Sequence, residues 1–151
     1  MLVRDIMASK VITVSPGSTV SEILKIFQKH KIGGAPVVSK SGKILGFVSE
    51  KDVLFRLFPS EEEFYKDVDY YFAKTNHEEN LKAIRNLKAK NIMTRHVICV
   101  KPYDDVLSAC SKLLLRHIRR LPVVDKGKLV GIVSTDRVFV NYLHHVLTER
   151  S

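Results

Sequence analysis

The sequence predicts an α+β fold, α/β-like in its strand and helix alternation: two β-α-β-β-α units packed about a pseudo-two-fold axis, with a helical insert between them. Three observations predict it. The stretch GKILGFVSEKD at residues 42–52 returns as GKLVGIVSTDR at residues 127–137. Within each copy, short apolar runs bounded by Pro and Gly alternate with stretches of helical periodicity. Between the copies the chain turns acidic and aromatic.

The repeat is nearly gapless. Residues 3–57 align with 89–142 at an offset of 86, which falls to 85 after a one-residue deletion near Ser41. Eighteen positions are identical, among them Ile6/Ile92, Met7/Met93, Pro16/Pro102, Pro36/Pro122, Gly46/Gly131 and Ser49/Ser134. The expected organisation is a first repeat over 1–58, an insert over 59–88 and a second repeat over 89–151.

Each unit opens on a short apolar segment, VITV or VICV, expected as a strand that ends at a proline. A helix follows with apolar residues at i, i+3, i+4 and i+7: Val20, Ile23, Leu24 and Phe27, then Val106, Ala109, Cys110 and Leu113. That spacing buries one helical face. Ser18 and Asp104 are the expected caps. Two strands come next, APVVS and ILGFV, then LPVVD and LVGIV, with Gly42 or Gly127 in the turn between them. A last helix opens at Ser49 or Ser134 and carries Val53, Leu54 and Leu57, or Val138, Tyr142 and Leu143. Units of about 55 residues bury too little apolar surface to be comfortable alone, so pairing is expected, with clefts between the partners.

The insert reads as helical. Ser60 with Glu63, and Thr75 with Glu78, match capping boxes. Phe64, Val68, Tyr71 and Phe72 form a stripe at helical spacing, expected to pack on the domain itself rather than to dock a partner.

Composition limits the class. The chain has 151 residues, 45% hydrophobic and 27% charged, ordinary for a globular protein. Its start, MLVRDIMASK, lacks the apolar run of a signal peptide, and no window is long enough to span a membrane, so a cytoplasmic setting without membrane attachment is expected. Cys99 and Cys110 are expected as buried thiols, not as a disulfide or metal pair. The net charge is +9, unevenly spread: +5 over residues 1–57, −5 over 58–80 and +9 over 81–151. Such a balance attracts polyanions without choosing among nucleic acid, nucleotide phosphate and acidic protein.

The ordered set DIM, VITVSP, APVV and GFVSEKD, repeated as NIM, VICVKP, LPVV and GIVSTDR, resembles a tandem pair of cystathionine β-synthase domains, the CBS pair or Bateman module. The resemblance covers nearly the whole chain outside the insert. It implies a regulatory module without catalysis that binds an adenosyl ligand (AMP, ADP or ATP, in some relatives S-adenosylmethionine or a dinucleotide), requires no cofactor or metal, and commonly forms a homodimer. Asp52 matches the ribose-binding aspartate and Ser49 its hydroxyl partner. Val11, Ile12 and Thr13 match the strand along the adenine, and Gly34, Ala35 and Pro36 the loop opposite. Arg119 and Arg120, with His117 close by, match the cations that reach the phosphates.

The chemistry suits these residue types. One carboxylate accepts hydrogen bonds from both ribose hydroxyls, and apolar walls hold an adenine. At the position equivalent to Asp52 the second repeat has Arg137, which accepts nothing. Asp136 lies about 100° round the helix. One competent site is therefore expected, signalling to an effector protein in trans. Two other classes remain. Nucleic-acid binding through the basic second repeat is weakened by the lack of aromatic residues among the basic ones at 112–128. A ligand-free scaffold would use the fold for dimerisation and the acidic insert for docking. No nucleophile elbow, His-Glu-x-x-His or phosphate-loop motif supports catalysis.

Overall fold

The structure, a computed structural model, describes residues 1–57 and 77–149. The capping boxes and aromatic stripe predicted for the insert lie outside the described residues. The first repeat contains α1 (Val3–Ile6), α2 (Val20–His30), β1 (Gly34–Val38), β2 (Ile44–Ser49) and α3 (Glu50–Leu54), which tightens into a 3₁₀ turn at Phe55–Leu57. The end of the insert forms α4 (His77–Arg85). The second repeat contains α5 (Ala89–Ile92), α6 (Val106–Leu115), β3 (Arg120–Asp125), β4 (Lys128–Ser134) and α7 (Thr135–Arg137). A π-helical stretch, Val138–Leu143, then leads into α8 (His144–Thr148).

β1–β2 and β3–β4 are antiparallel hairpins, each with a bulge between its two adjacent valines and a glycine in the turn at positive φ, Gly42 at 85° and Gly127 at 78°. Only glycine takes that conformation without cost. The predicted VITV and VICV strands reduce to single bridges. Val14 lies parallel to Val37 and Val100 parallel to Val123, and the residues before them are drawn elsewhere.

Where they go defines the architecture. Ala8 pairs with Ile132 of the second repeat, exchanging two hydrogen bonds of 2.9 Å, and Thr94 pairs with Phe47 of the first in the same way. Each repeat thus passes its N-terminal arm to the other. Lys43 bridges Lys128, its own counterpart, so the pseudo-two-fold axis runs through that contact. The two cores record the exchange. Ala89 and Ile92 of α5 pack with Val20, Ile23, Phe27, Val37 and Val48, while Val3 and Ile6 of α1 pack with Val106, Leu113, Leu121 and Val133. Ile84 of α4 joins the first core.

The helix faces follow the predicted periodicity except at the edge of the stripe. Val20, Ile23 and Phe27 are buried, but Leu24 is half exposed, because the cleft described below opens beside it. Val53 and Val138 are buried, whereas Leu54, Phe55, Phe139, Val140 and Leu147 stand in solvent. Cys99 and Cys110 are free thiols, half-buried rather than fully enclosed. Burial raises the Cys99 thiol pKa, with the Lys112 charge working against it.

The caps sit one residue later than predicted. Thr19 accepts from Glu22 N at 3.2 Å, and Asp105 from Leu107 N at 2.8 Å. Ser18 and Asp104 close the preceding turns instead: Ser18 Oγ accepts from Ser15 N at 3.2 Å, and Asp104 Oδ2 from Lys101 N at 2.9 Å. Asp105→Ala is expected to cost about 1 kcal/mol through the lost cap, read as a lower urea midpoint with an unchanged slope. An unchanged midpoint would exclude Asp105 as the cap.

Candidate functional site

Asp52 is placed by the first turn of α3. Ser49 enters this helix with an extended backbone, and Asp52 turns back toward it, so that Oδ2 accepts from Ser49 N at 2.7 Å and from Ser49 Oγ at 3.0 Å. Both bonds fall on one oxygen of a half-buried carboxylate. The carboxylate is therefore fixed in orientation before any ligand arrives, which lowers the ordering cost of binding.

Asp52 and Ser49 face a cavity of about 780 Å³, within the ordinary range for a small-molecule site. Apolar walls come from Phe47, Val97, Ile98, Ile118 and Pro122. Among the described residues, four permanent cations line it (Lys31, Lys51, Arg119 and Arg120) against the carboxylates of Asp52 and Glu50, with His96 and His117 beside them. A hydroxyl-accepting pair, apolar faces and a cationic excess meet in one concavity.

Five predicted residues line this cavity together: Ser49, Asp52, His117, Arg119 and Arg120. Six do not: Val11, Ile12, Thr13, Gly34, Ala35 and Pro36. For the first three, arm exchange is the reason. Thr94 pairs with Phe47, which brings Thr94, His96, Val97 and Ile98 to the wall of the Asp52 cavity, whereas Ala8 pairs with Ile132 of the second repeat and residues 11–13 follow it. Through the repeat, Val11 and Ile12 are the counterparts of Val97 and Ile98, and Gly34 and Pro36 those of Arg120 and Pro122. These four are thus the pseudo-symmetric counterparts of residues at the Asp52 cavity and not part of it. Ala35 and Pro36 are fully buried in β1, and a Cβ on Gly34 would lie 2.8 Å from the Phe47 ring. Sequence reasoning missed Phe47, Thr94, His96, Val97 and Ile98 at the Asp52 cleft. The VICV segment was visible as a repeat of VITV, but nothing local reveals that the two are exchanged.

The second repeat is built differently at the same point. Ser134 Oγ accepts from Arg137 N at 3.2 Å as an ordinary cap. The Arg137 guanidinium donates to Ile6 O at 2.5 Å and to Met7 O at 3.4 Å. Among the described residues there is no cluster of three or more metal-ligating side chains, and no helix is long and apolar enough to cross a membrane.

Fold and cleft together define a tandem-repeat module with a ligand-sized cleft between its halves. A sequence model of the CBS domain matches residues 3–58 and 89–143, and the chain belongs to that family as a CBS domain pair. It is 35% identical over 146 residues to the uncharacterized protein MJ1426 of Methanocaldococcus jannaschii, covering 89% of this chain and 86% of that one. The solved structure of CBSX2 in complex with AMP superposes with a TM-score of 0.72 at 27% identity, covering 95% of this chain and 96% of that one. The CBS domain pair of protein MJ0100, solved with 5′-methylthioadenosine and S-adenosyl-L-methionine, gives 0.67 at 26% identity over 93% of this chain and 94% of that one. Against longer relatives the chain spans a part only, 24% of an inosine-5′-monophosphate dehydrogenase of Korarchaeum cryptofilum to which it is 48% identical over 149 residues.

Proposed function

We propose that this CBS pair is a regulatory adenine-nucleotide sensor that takes AMP, or ADP or ATP, in the Asp52 cleft and reports occupancy to an effector protein in trans without catalysing a reaction itself. The observation that carries the reading is the Ser49–Asp52 pair facing Arg119 and Arg120 across one cavity. Asp52 accepts from the two ribose hydroxyls, Val97, Ile98 and Ile118 enclose the adenine, and the arginines hold the phosphate. AMP bound to the related CBSX2 supports the ligand class. S-adenosylmethionine, present in the MJ0100 structure, shares the adenosine part. Its sulfonium, however, meets a cleft in which permanent cations outnumber carboxylates among the described residues, which favours the anionic nucleotide.

The exposed apolar residues of the terminal helices, Leu54, Phe55, Phe139, Val140 and Leu147, support a second copy of the chain as partner. The cytoplasm, where adenine nucleotides are held, is the setting this reading implies.

The test is calorimetric titration with AMP, ADP, ATP, S-adenosylmethionine and NAD. AMP is expected to bind once per chain, and S-adenosylmethionine more weakly. Arg119→Ala/Arg120→Ala is expected to weaken AMP by about tenfold or more, since each hydrogen bond to a charged group is worth about 1.5–3 kcal/mol. Adenosine, which has no phosphate, should lose less than threefold. Equal losses for AMP and adenosine would remove the arginines from the phosphate site. No binding by any of the five would leave the nucleotide reading without support.

A further inference from the structure

Both repeats use an arginine of the terminal helix to hold the helix that has crossed over from the other repeat. Arg56 Nη2 donates to Asn91 O at 2.9 Å, near the end of α5. Arg137 donates to Ile6 O and Met7 O at the end of α1. A four-residue helix leaves its terminal carbonyls without intrahelical partners, so a donor there is needed in both halves. The receiving segments are counterparts in the repeat, Asp5-Ile6-Met7 and Asn91-Ile92-Met93, but the arginines are not. Arg56 aligns with Asn141, and Arg137 aligns with Asp52. Positions four apart lie on one helical face, so an arginine from either reaches the same helix end. Asn141 donates instead to Arg137 O, at 2.9 Å.

We propose that the position supplying this arginine decides which cleft can carry a ribose-accepting carboxylate. In the first repeat the clamp comes from Arg56, one turn on, and position 52 is left to the aspartate. In the second repeat the clamp comes from position 137 itself, and the carboxylate has no place. The pseudo-two-fold counterpart of the Asp52 site, beside Arg137, is then a latent adenosine site, closed by a structural duty. This rests on the reading of Asp52 as the ribose acceptor.

The clamp predicts that the arginine can be moved. Arg137→Asp is expected to lower Tm by several degrees, and Arg137→Asp/Asn141→Arg to recover most of the loss. The reciprocal pair, Asp52→Arg/Arg56→Asn, is expected to keep the stability that Arg56→Asn alone loses, so the idea remains testable if Arg137→Asp does not fold. Adenosine is the probe because Gly33 and Gly34 are the repeat counterparts of Arg119 and Arg120, so no phosphate site is expected beside Arg137. Its stoichiometry should rise from one per chain in wild type to two in Arg137→Asp/Asn141→Arg. Failure of both relocated arginines to restore Tm would overturn the clamp. Restored Tm with adenosine still at one per chain would overturn the claim that the clamp closes the cleft. If wild type binds no adenosine while the relocated arginines restore Tm, the failure lies in the Asp52 reading, and the carboxylate half of the proposal falls with it.

Discussion

Replacing Asp52 by alanine is expected to abolish the stabilisation that AMP gives the wild-type protein. At a hundred times its Kd a ligand adds about 2.7 kcal/mol to the folded state, roughly 5–10 °C in Tm for a chain of this size. Among the described residues of the cleft, Asp52 is the carboxylate fixed by two hydrogen bonds, to Ser49 N and Ser49 Oγ. Without it both ribose hydroxyls lose their charged acceptor, a loss of about 1.5–3 kcal/mol for each bond, so affinity should fall by about a hundredfold or more. The same substitution removes the acceptor that holds the start of α3, so the unliganded variant should itself melt slightly lower. The comparison that counts is therefore the AMP-induced shift and not the absolute Tm. Asp52→Asn, which keeps the shape but not the charge, should also lose most of the shift. A wild-type shift retained in full by Asp52→Ala would place the ribose elsewhere.

Gly46→Ala is expected to destabilise the protein and to weaken AMP at a residue that does not line the cleft. A Cβ at Gly46 would lie 2.5 Å from Met93 Sδ and 2.8 Å from Thr94 O. The methionine can swing aside. The carbonyl cannot, because Phe47 N donates to it at 2.9 Å in the bridge that holds the exchanged arm. Overpacking of this kind costs about 1–3 kcal/mol. Displacing Thr94 also shifts His96, Val97 and Ile98, the wall of the Asp52 cleft. Gly17→Ala is the control, since a Cβ there meets nothing within 4 Å. Thermal melts and AMP titrations of the two variants decide the matter: equal behaviour would mean that the arm crossing has slack. The counterpart Gly131, where a Cβ would lie 2.5 Å from Met7 Sδ and 3.1 Å from Ala8 O, should behave like Gly46 in stability but leave AMP affinity nearly unchanged.

Much of this protein is legible in its sequence because the relevant forces are local. The i, i+3, i+4 spacing of Val20, Ile23 and Phe27 marks a buried face at any position in a fold. Gly42 and Gly127 mark turns that only glycine enters freely, and the repeat itself announces pairing. The aspartate-to-arginine difference at positions 52 and 137 was equally visible, and with it the expectation of unequal clefts. Where a cap falls was nearly visible: Ser18 and Thr19, like Asp104 and Asp105, are adjacent hydroxyls or carboxylates, and loop geometry alone assigns one to the turn and the other to the helix.

The tertiary structure alone decided which residues face one another. Exchange of arms between the repeats brings VICV and not VITV to the Asp52 cavity, so Val11, Ile12 and Thr13 do not line it. Nothing in a single segment encodes that choice. It depends on Ala8 and Thr94 finding partners more than 35 residues away and on α1 and α5 filling cores not their own. The same exchange gives Arg56 and Arg137 the helix ends they hold. Their duty is thus invisible in the sequence, although the residues that perform it are plain. Sequence determined the units, their faces and the one carboxylate. Packing between the units decided the walls of the cleft, because contacts across a pseudo-two-fold axis are set by the whole assembly and not by neighbours along the chain.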